Sequence, residues 1–278
     1  MQAAGLGAAY GERTVLEGLD LEIPKGKITA IVGANACGKS TLLRTFSRLL
    51  APARGQVLLD GADIHRMPPK VLAQRLGLLP QQPVAPDGIT VADLVGRGRH
   101  PHHGLFSRWT PADDAAVAQA LAATGTTDLA ARDIDALSGG QRQRVWIAMA
   151  LAQQTEVLLL DEPTTFLDIA HQIEVLDLLV DLNRARGTTI VMVLHDLNLA
   201  ARYADRIVAL ADGRLHSAGT PAEVLTVDMV RAVFRLDCRI MADPASGRPM
   251  MLPHSRHDPG AQHTSLARAD RATLKDRT

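Results

Sequence analysis

The chain has 278 residues, 46% of them hydrophobic, enough apolar side chain to bury a large core and to exclude disorder along its whole length. Lysine plus arginine balance aspartate plus glutamate at 30 against 30, so the overall charge offers no electrostatic case for nucleic acid as a partner. Of the two cysteines, Cys37 and Cys238, the first sits inside a phosphate-loop pattern, which argues against a structural disulfide and for a reducing, cytoplasmic compartment. The apolar runs are strand-length, short of the ~18 residues that cross a bilayer. Residues 1–14 have neither a basic start before an apolar stretch nor a cleavage site, so no secretory signal is expected.

Residues 27–32 (KITAIV) read as a buried strand and residues 40–50 as the helix after it, with the loop GANACGKST spanning 33–41. Residues 83–136 break the pattern. They hold no strong strand run, and Thr110, Pro111 and Asp113 form an N-cap signal that opens an alanine-rich helix, so this stretch is taken as an inserted helical subdomain. LSGGQ follows at 137–141. Strand and helix then alternate, 157–161 with 169–186 and 188–194 with 197–203, which predicts an α/β core with a mostly parallel sheet. Residues 207–210 and 214–216 form a hairpin across Asp212-Gly213, a dipeptide suited to positive φ. Thr220, Pro221 and Glu223 start a further helix with a capping box. Residues 255–278 offer few large apolar side chains and are expected to form a disordered tail, with a short helix over 266–274 as the alternative. No internal repeat is visible.

The pattern G-x-x-x-x-G-K-[ST] followed by LSGGQ arises by chance in roughly one chain per million, so the two are read together. A strand feeding a loop and a helix N-terminus presents the backbone N–H groups of Gly33, Ala34, Asn35, Ala36, Cys37 and Gly38 to phosphate oxygens. Lys39 reaches the β and γ phosphates, Ser40 offers a hydroxyl to Mg²⁺, and Thr41 completes the motif. Residues 157–160 (VLLL) run straight into Asp161 and Glu162, placing both carboxylates at the C-terminal end of a central strand beside the loop. Asp161 holds Mg²⁺ through water in this reading. Glu162 is the general base that polarises the water attacking the γ phosphate.

Together these motifs resemble the ATP-binding subunit of an ABC transporter, from about Tyr10 to about Pro253. The resemblance implies a P-loop NTPase core with a mostly parallel sheet, an antiparallel β subdomain and an inserted helical subdomain at about 83–136. Residues 1–254 then form one ATPase domain. It also carries over single residues: Tyr10 to stack on adenine, Gln81 in LGLLPQ to contact Mg²⁺ and follow the membrane subunit, Leu167 and Asp168 in TTFLD to cross the dimer interface, and His195 in VMVLHD as the switch histidine. Gln81 and His195 join Glu162 and Lys39 as catalytic candidates. In this family Ser138, Gly139, Gly140 and Gln141 act on the γ phosphate held by a second subunit, so two chains are expected to close two composite sites around ATP.

Two positions depart from the family pattern: Ala34 and Ala36 stand where Pro and Gly are usual. A positive φ at Ala36 costs ~1 kcal/mol. Cys37, near a helix N-terminus, is expected to have a lowered thiol pKa and to be open to alkylation without nucleotide. In RGRHPHHGLFSRW, residues 97–109, His100, His102 and His103 lack a supporting carboxylate or an i, i+4 arrangement, so a solvated loop is preferred to a metal site. That segment is similar instead to importers of ferric siderophores, haem and vitamin B12, as are DPASGRPMMLP, TTFLDIAHQ and LHDLNLAARYA to the siderophore group.

Ferric siderophore import is the cargo expected from the resemblance, with haem or cobalamin as alternatives. The implied assembly is a homodimer of ATP-binding subunits on integral-membrane permeases at the cytoplasmic face of the cell membrane, served indirectly by an extracytoplasmic siderophore-binding protein. ATP and Mg²⁺ are the implied cofactors. A soluble, non-transport ABC ATPase is the reading of another class, disfavoured because neither a second cassette nor a long coiled-coil insertion is visible; an ABC exporter subunit is disfavoured because no spanning segment is fused to the cassette, although separate-chain exporters exist.

Overall fold

The chain begins with two strands, β1 (Gln2–Tyr10) and β2 (Arg13–Glu22), that pair antiparallel, although QAAGLGAAY lacks the β-branched composition of a typical strand. In this computed structural model, which describes residues 1–104, 108–255 and 257, pairing decides the matter: Ala3, Leu6, Gly7 and Ala8 are buried and register shifts accommodate the small side chains of β1. Next come β3 (Ile28–Gly33) and α1 (Lys39–Phe46), then β4 (Arg54–Leu59) and β5 (Ala62–Asp63), which complete an antiparallel sheet in the order β2-β1-β4-β5. The α1 helix stops short of the expected residue 50 because Arg48 adopts φ 64° and the N–H groups of Leu49 and Leu50 both turn back to the Arg44 carbonyl.

After α2 (Pro69–Arg75) and β6 (Leu76–Leu79), the described residues form no named strand until β7 (Val157–Asp161). The interval holds α3 (Val91–Gly96), a 3₁₀ turn (Arg97–His102), α4 (Pro111–Ala123) and α5 (Gly139–Ala152). Thr110 and Asp113 cap α4 reciprocally, as the sequence signal predicts. The helical layer extends past residue 136, because α3 and α4 both pack on α5, which itself touches β6. Arg99, 7% exposed, ties it together: its Nε donates to Asp113 Oδ1 at 3.0 Å and its Nη1 to the Ala152 carbonyl at 2.8 Å. Of the nearby imidazoles, His102 and His103 point to separate partners. His102 Nε2 meets the Gln153 carbonyl at 2.8 Å, while His103 stacks on Trp109 with ring centroids 5.6 Å apart and approaches Asp113.

The chain then alternates through α6 (Ile169–Arg186), β8 (Thr189–Val193), α7 (Leu197–Tyr203), β9 (Arg206–Ala211) and β10 (Arg214–Gly219). Six strands assemble in the order β10-β9-β3-β8-β7-β6, all parallel except β10. Asp212 (φ 48°) and Gly213 (φ 75°) form the turn between β9 and β10. Every residue of β3, β7 and β8 is buried, as expected for strands covered on both faces. Alternation sorts them. Ile31, Leu159, Val191, Val193 and Val208 join Leu42, Leu43 and Phe46 of α1 and the antiparallel sheet, whereas Ala30, Val32, Leu158, Leu160 and Met192 meet the helices α3, α5, α6 and α7.

The helices α8 (Pro221–Val224) and α9 (Val227–Phe234) follow, α8 opening on the predicted Thr220–Glu223 capping box. A last hairpin, β11 (Cys238–Ala242) with β12 (Pro249–Pro253), lies against α7. Among the described residues no helix is long and apolar enough to cross a membrane. The expected tail at 255–278, with its alternative helix, lies outside the described residues apart from residues 255 and 257.

Candidate active site

Strand order places the chemistry. With β3 between β9 and β8, and β7 beyond β8, the C-terminal ends of β3, β8 and β7 open on one edge of the sheet, carrying Gly33, His195 and Asp161 to neighbouring positions. The loop after β3 is built for close approach. A Cβ on Gly33 would lie 2.5 Å from the Leu210 carbonyl oxygen and 2.6 Å from Cys37 Sγ, so only glycine fits. Ala36 adopts φ 62°, the left-handed conformation that costs alanine about 1 kcal/mol. Gly38, at φ 105°, is the residue from which α1 starts.

Lys39 is buried and its Nζ donates to the carbonyl oxygens of Gly33 at 2.8 Å and Ala34 at 2.9 Å, which holds the ammonium at the centre of the loop. Ser40 Oγ donates to Asp161 Oδ1 at 3.1 Å, so helix α1 and strand β7 meet through the two groups expected to share a metal. Burial of the Asp161 carboxyl, with a smaller contribution from the Glu162 charge, raises its pKa, while the Ser40 hydrogen bond opposes the shift. Glu162 follows at φ 55°, a strained conformation for a side chain of this size. Its Oε1 lies 2.7 Å from His195 Nε2, and Thr165 Oγ1 donates to its Oε2 at 3.2 Å.

Lys39, Ser40, Glu162 and His195 line an open cleft of 660 Å³. Asn35, Ala36, Gly38, Lys39, Ser40 and Thr41 form its floor, Glu162 and His195 one wall, and Tyr10 and Gln81 its rims. Gln81, two residues beyond β6, also borders a second depression beside Asp161 and Arg44. Tyr10 is half-exposed, and its hydroxyl accepts a hydrogen bond from Arg44 Nη1 at 3.4 Å. Arg13 and Val15, just past the β1–β2 turn, line the same rim and were missed in the sequence, because only recognition of that hairpin brings them beside the loop. Thr165 was missed for a similar reason: its hydroxyl reaches Glu162 only through the turn after β7.

One expectation is corrected. Cys37 is 6% exposed and packs with Leu42 and Leu210 in the core under the loop, and this burial pushes its thiol pKa up, against the weaker pull of Lys39. It is neither activated nor open at the cleft surface, and within the loop it contributes packing.

The LSGGQ residues stand elsewhere. Ser138 and Gln141 cap α5 reciprocally: the Gln141 N–H donates to Ser138 Oγ at 3.3 Å and the Ser138 N–H to Gln141 Oε1 at 3.1 Å. Gly139 and Gly140 form the first turn beside Phe166 and Leu167. Asp168 caps α6, accepting from the His171 N–H at 2.9 Å, and that hydrogen bond is the main reason its pKa is lowered. One chain thus gathers the phosphate loop, Glu162 and the histidine in one cleft, with Asp161 held beside it through Ser40, and turns an uncovered glycine-bearing helix N-terminus, with Asp168, to a different part of its surface.

Residues 16–165 match the family described as ABC transporter. The achromobactin transport ATP-binding protein CbrD of Dickeya dadantii (strain 3937) is 56% identical over 255 residues, covering 92% of this chain and 95% of CbrD. The ferric enterobactin transport ATP-binding protein FepC of Escherichia coli (strain K12) is 52% identical over 255 residues, covering 92% and 94%. Among solved structures, a dimeric post-hydrolysis state of the ATP-binding cassette MJ0796 bound to ADP and Pi superposes with a TM-score of 0.72 at 29% identity, covering 79% of this chain and 97% of that one.

Proposed function

This chain belongs to the ABC transporter family and is its ATP-hydrolysing subunit, and we propose that it energises import of ferric siderophores. The cargo is supported by relatives at 56% and 52% identity that are transport ATP-binding proteins for achromobactin and ferric enterobactin. The observation that carries the activity is the junction of the phosphate loop with Glu162 and His195 in one cleft, the carboxylate 2.7 Å from the imidazole.

In this reading the loop N–H groups from Gly33 to Gly38 and the Lys39 ammonium hold the β and γ phosphates of ATP, Thr41 supports the helix end, and adenine lies against Tyr10. Ser40 and Asp161 suit Mg²⁺. Both are hard oxygen donors, they lie 3.1 Å apart, and the raised pKa of Asp161 marks a buried carboxylate that a cation would relieve. Gln81 completes the metal's surroundings from the rim. Mg²⁺, when bound, neutralises charge building on the phosphate oxygens. Glu162 takes a proton from the attacking water, and His195 and Thr165 hold its two oxygens in place for that transfer. Ser138, Gly139, Gly140, Gln141 and Asp168 act on the ATP of a second copy, which explains why they lie outside their own chain's cleft. Residues 1–254 form this unit, docked on permease subunits at the cytoplasmic membrane face, and an extracytoplasmic binding protein delivers cargo to the permease.

The test is uptake of radiolabelled iron, supplied as a siderophore panel and as haem, in cells carrying wild type or Lys39→Ala. Loss confined to one siderophore class is expected. Undiminished uptake across the panel contradicts the cargo, and loss for haem alone moves it there.

A further inference from the structure

His195 meets Glu162 at 2.7 Å, and among the described residues no second side-chain hydrogen bond holds its ring. On its N-terminal side the backbone is locked, because β8 is a fully buried central strand and the Leu194 N–H donates to the Ile31 carbonyl at 3.2 Å. On its C-terminal side the chain enters α7 at once, with Asp196 as N-cap accepting from the N–H groups of Asn198 and Leu199. A helix of two turns does not hold its own position, so what α7 packs against decides where His195 points.

Two specific devices tie α7 to the β11–β12 hairpin. Near the start of the helix, Asn198 uses its amide as a strand partner: its Nδ2 donates to the Met251 carbonyl at 3.1 Å and its Oδ1 accepts from the Met251 N–H at 2.7 Å. Two bonds from one planar group fix both translation and rotation. At the other end, Arg248 Nη1 donates to the carbonyl oxygens of Ala201 at 3.0 Å and Ala204 at 2.7 Å, placing a cation on the unpaired carbonyls and negative dipole of the helix C-terminus. The hairpin is in turn stiffened. Its loop is closed by the Asp243 N–H donating to the Arg248 carbonyl at 2.7 Å and by Ser246 Oγ donating to Asp243, and Ile240 and Met251 lie against the helical-side core. A lone two-stranded hairpin is marginal in water, so α7 and the hairpin hold each other.

We propose that the C-terminal β11–β12 hairpin is a positioning element for His195, acting through Asn198 and Arg248 on α7. The inference rests on the reading of His195 as the partner of Glu162. Loss of either tie lets α7 shift and lengthens the His195–Glu162 contact, while the phosphate loop and Tyr10, which lie on β1, β3 and α1, keep their ATP contacts. The effect therefore falls on turnover and spares nucleotide affinity.

The experiment measures steady-state ATPase of the full chain for Asn198→Ala, Arg248→Ala, Arg248→Lys and His195→Ala, and for Asn198→Ala and Arg248→Ala each combined with His195→Ala. A thermal melt of each variant verifies folding. Each alanine variant at the ties is expected to lower kcat about tenfold with KM for ATP within about twofold. Arg248→Lys restores most of the loss, and neither tie variant costs anything further on the His195→Ala background. Unchanged kcat in both tie variants, or losses that multiply with that of His195→Ala, overturn the proposal and leave the role of His195 standing. Full turnover in His195→Ala alone removes that role and the positioning with it. If Asn198→Ala does not fold, Arg248→Ala, at the opposite end of the contact, decides the matter.

Discussion

Glu162 shows how a single residue's role comes from its surroundings. It leaves a strand whose five residues are all buried, sits at a strained φ of 55°, and has one carboxylate oxygen beside His195 and the other beside Thr165. Replacing the carboxylate by an amide keeps the shape and removes the base. Glu162→Gln is therefore expected to bind ATP normally and to turn over about 10²- to 10⁴-fold more slowly, while Lys39→Ala weakens both binding and turnover; equilibrium nucleotide binding alongside phosphate release separates the two. Normal turnover in Glu162→Gln excludes it as base. Cys37 makes the complementary point. Proximity to a helix N-terminus lowers a thiol pKa only where the sulfur faces that terminus and water, and here it faces the core, so desolvation wins.

At the scale of elements, the helical insertion hangs on a charged pair. The Thr110 hydroxyl, followed by Arg99 and then the Thr110 N–H, holds the Asp113 carboxyl well below the usual carboxylate range. A group whose pKa is lowered on folding stabilises fully above its unfolded value of about 3.9 and loses that contribution as pH falls toward its folded value. The stability of α4 should thus hold through neutral and mildly acidic pH and decline below about 4. In Asp113→Asn that acid limb flattens and the helix is weaker at neutral pH, where Arg99 stays buried without its partner. Hydrogen exchange of α4 amides as a function of pH measures both, and an unchanged acid limb in the variant removes Asp113 as its source. The capping box of α4 was legible in the sequence, because caps are local; Arg99 as its partner was not, because fourteen residues and a 3₁₀ turn separate the two.

For the whole molecule, the decisive fact is that the cleft and the LSGGQ turn do not meet within one chain. The specific ATPase activity should rise with protein concentration until pairing saturates, and Glu162→Gln, which binds ATP but hardly turns it over, should show a nucleotide-dependent dimer mass by light scattering. Equal specific activity at high dilution and high concentration contradicts a composite site.

What the sequence determined by itself is what depends on short separations: the phosphate loop, the strand that ends in Asp161 and Glu162, the α6 and α7 helices, and the Asp212-Gly213 turn, each set by neighbours within a few residues. It also carried the family, because several such strings in fixed order leave little room for coincidence. Only the tertiary structure decided the rest. The alanine- and glycine-rich β1 is a strand because β2 and β4 supply its partners, Arg13 lies at the cleft because that hairpin folds over the loop, and Cys37 is inert because its neighbours fill the space above it. The docking of the last hairpin on α7 belongs here too, since the pairing of Asn198 with Met251 spans 53 residues and no local preference encodes it. Burial and long-range hydrogen bonding are properties of the assembled chain, and they govern pKa, strand pairing and the aim of His195.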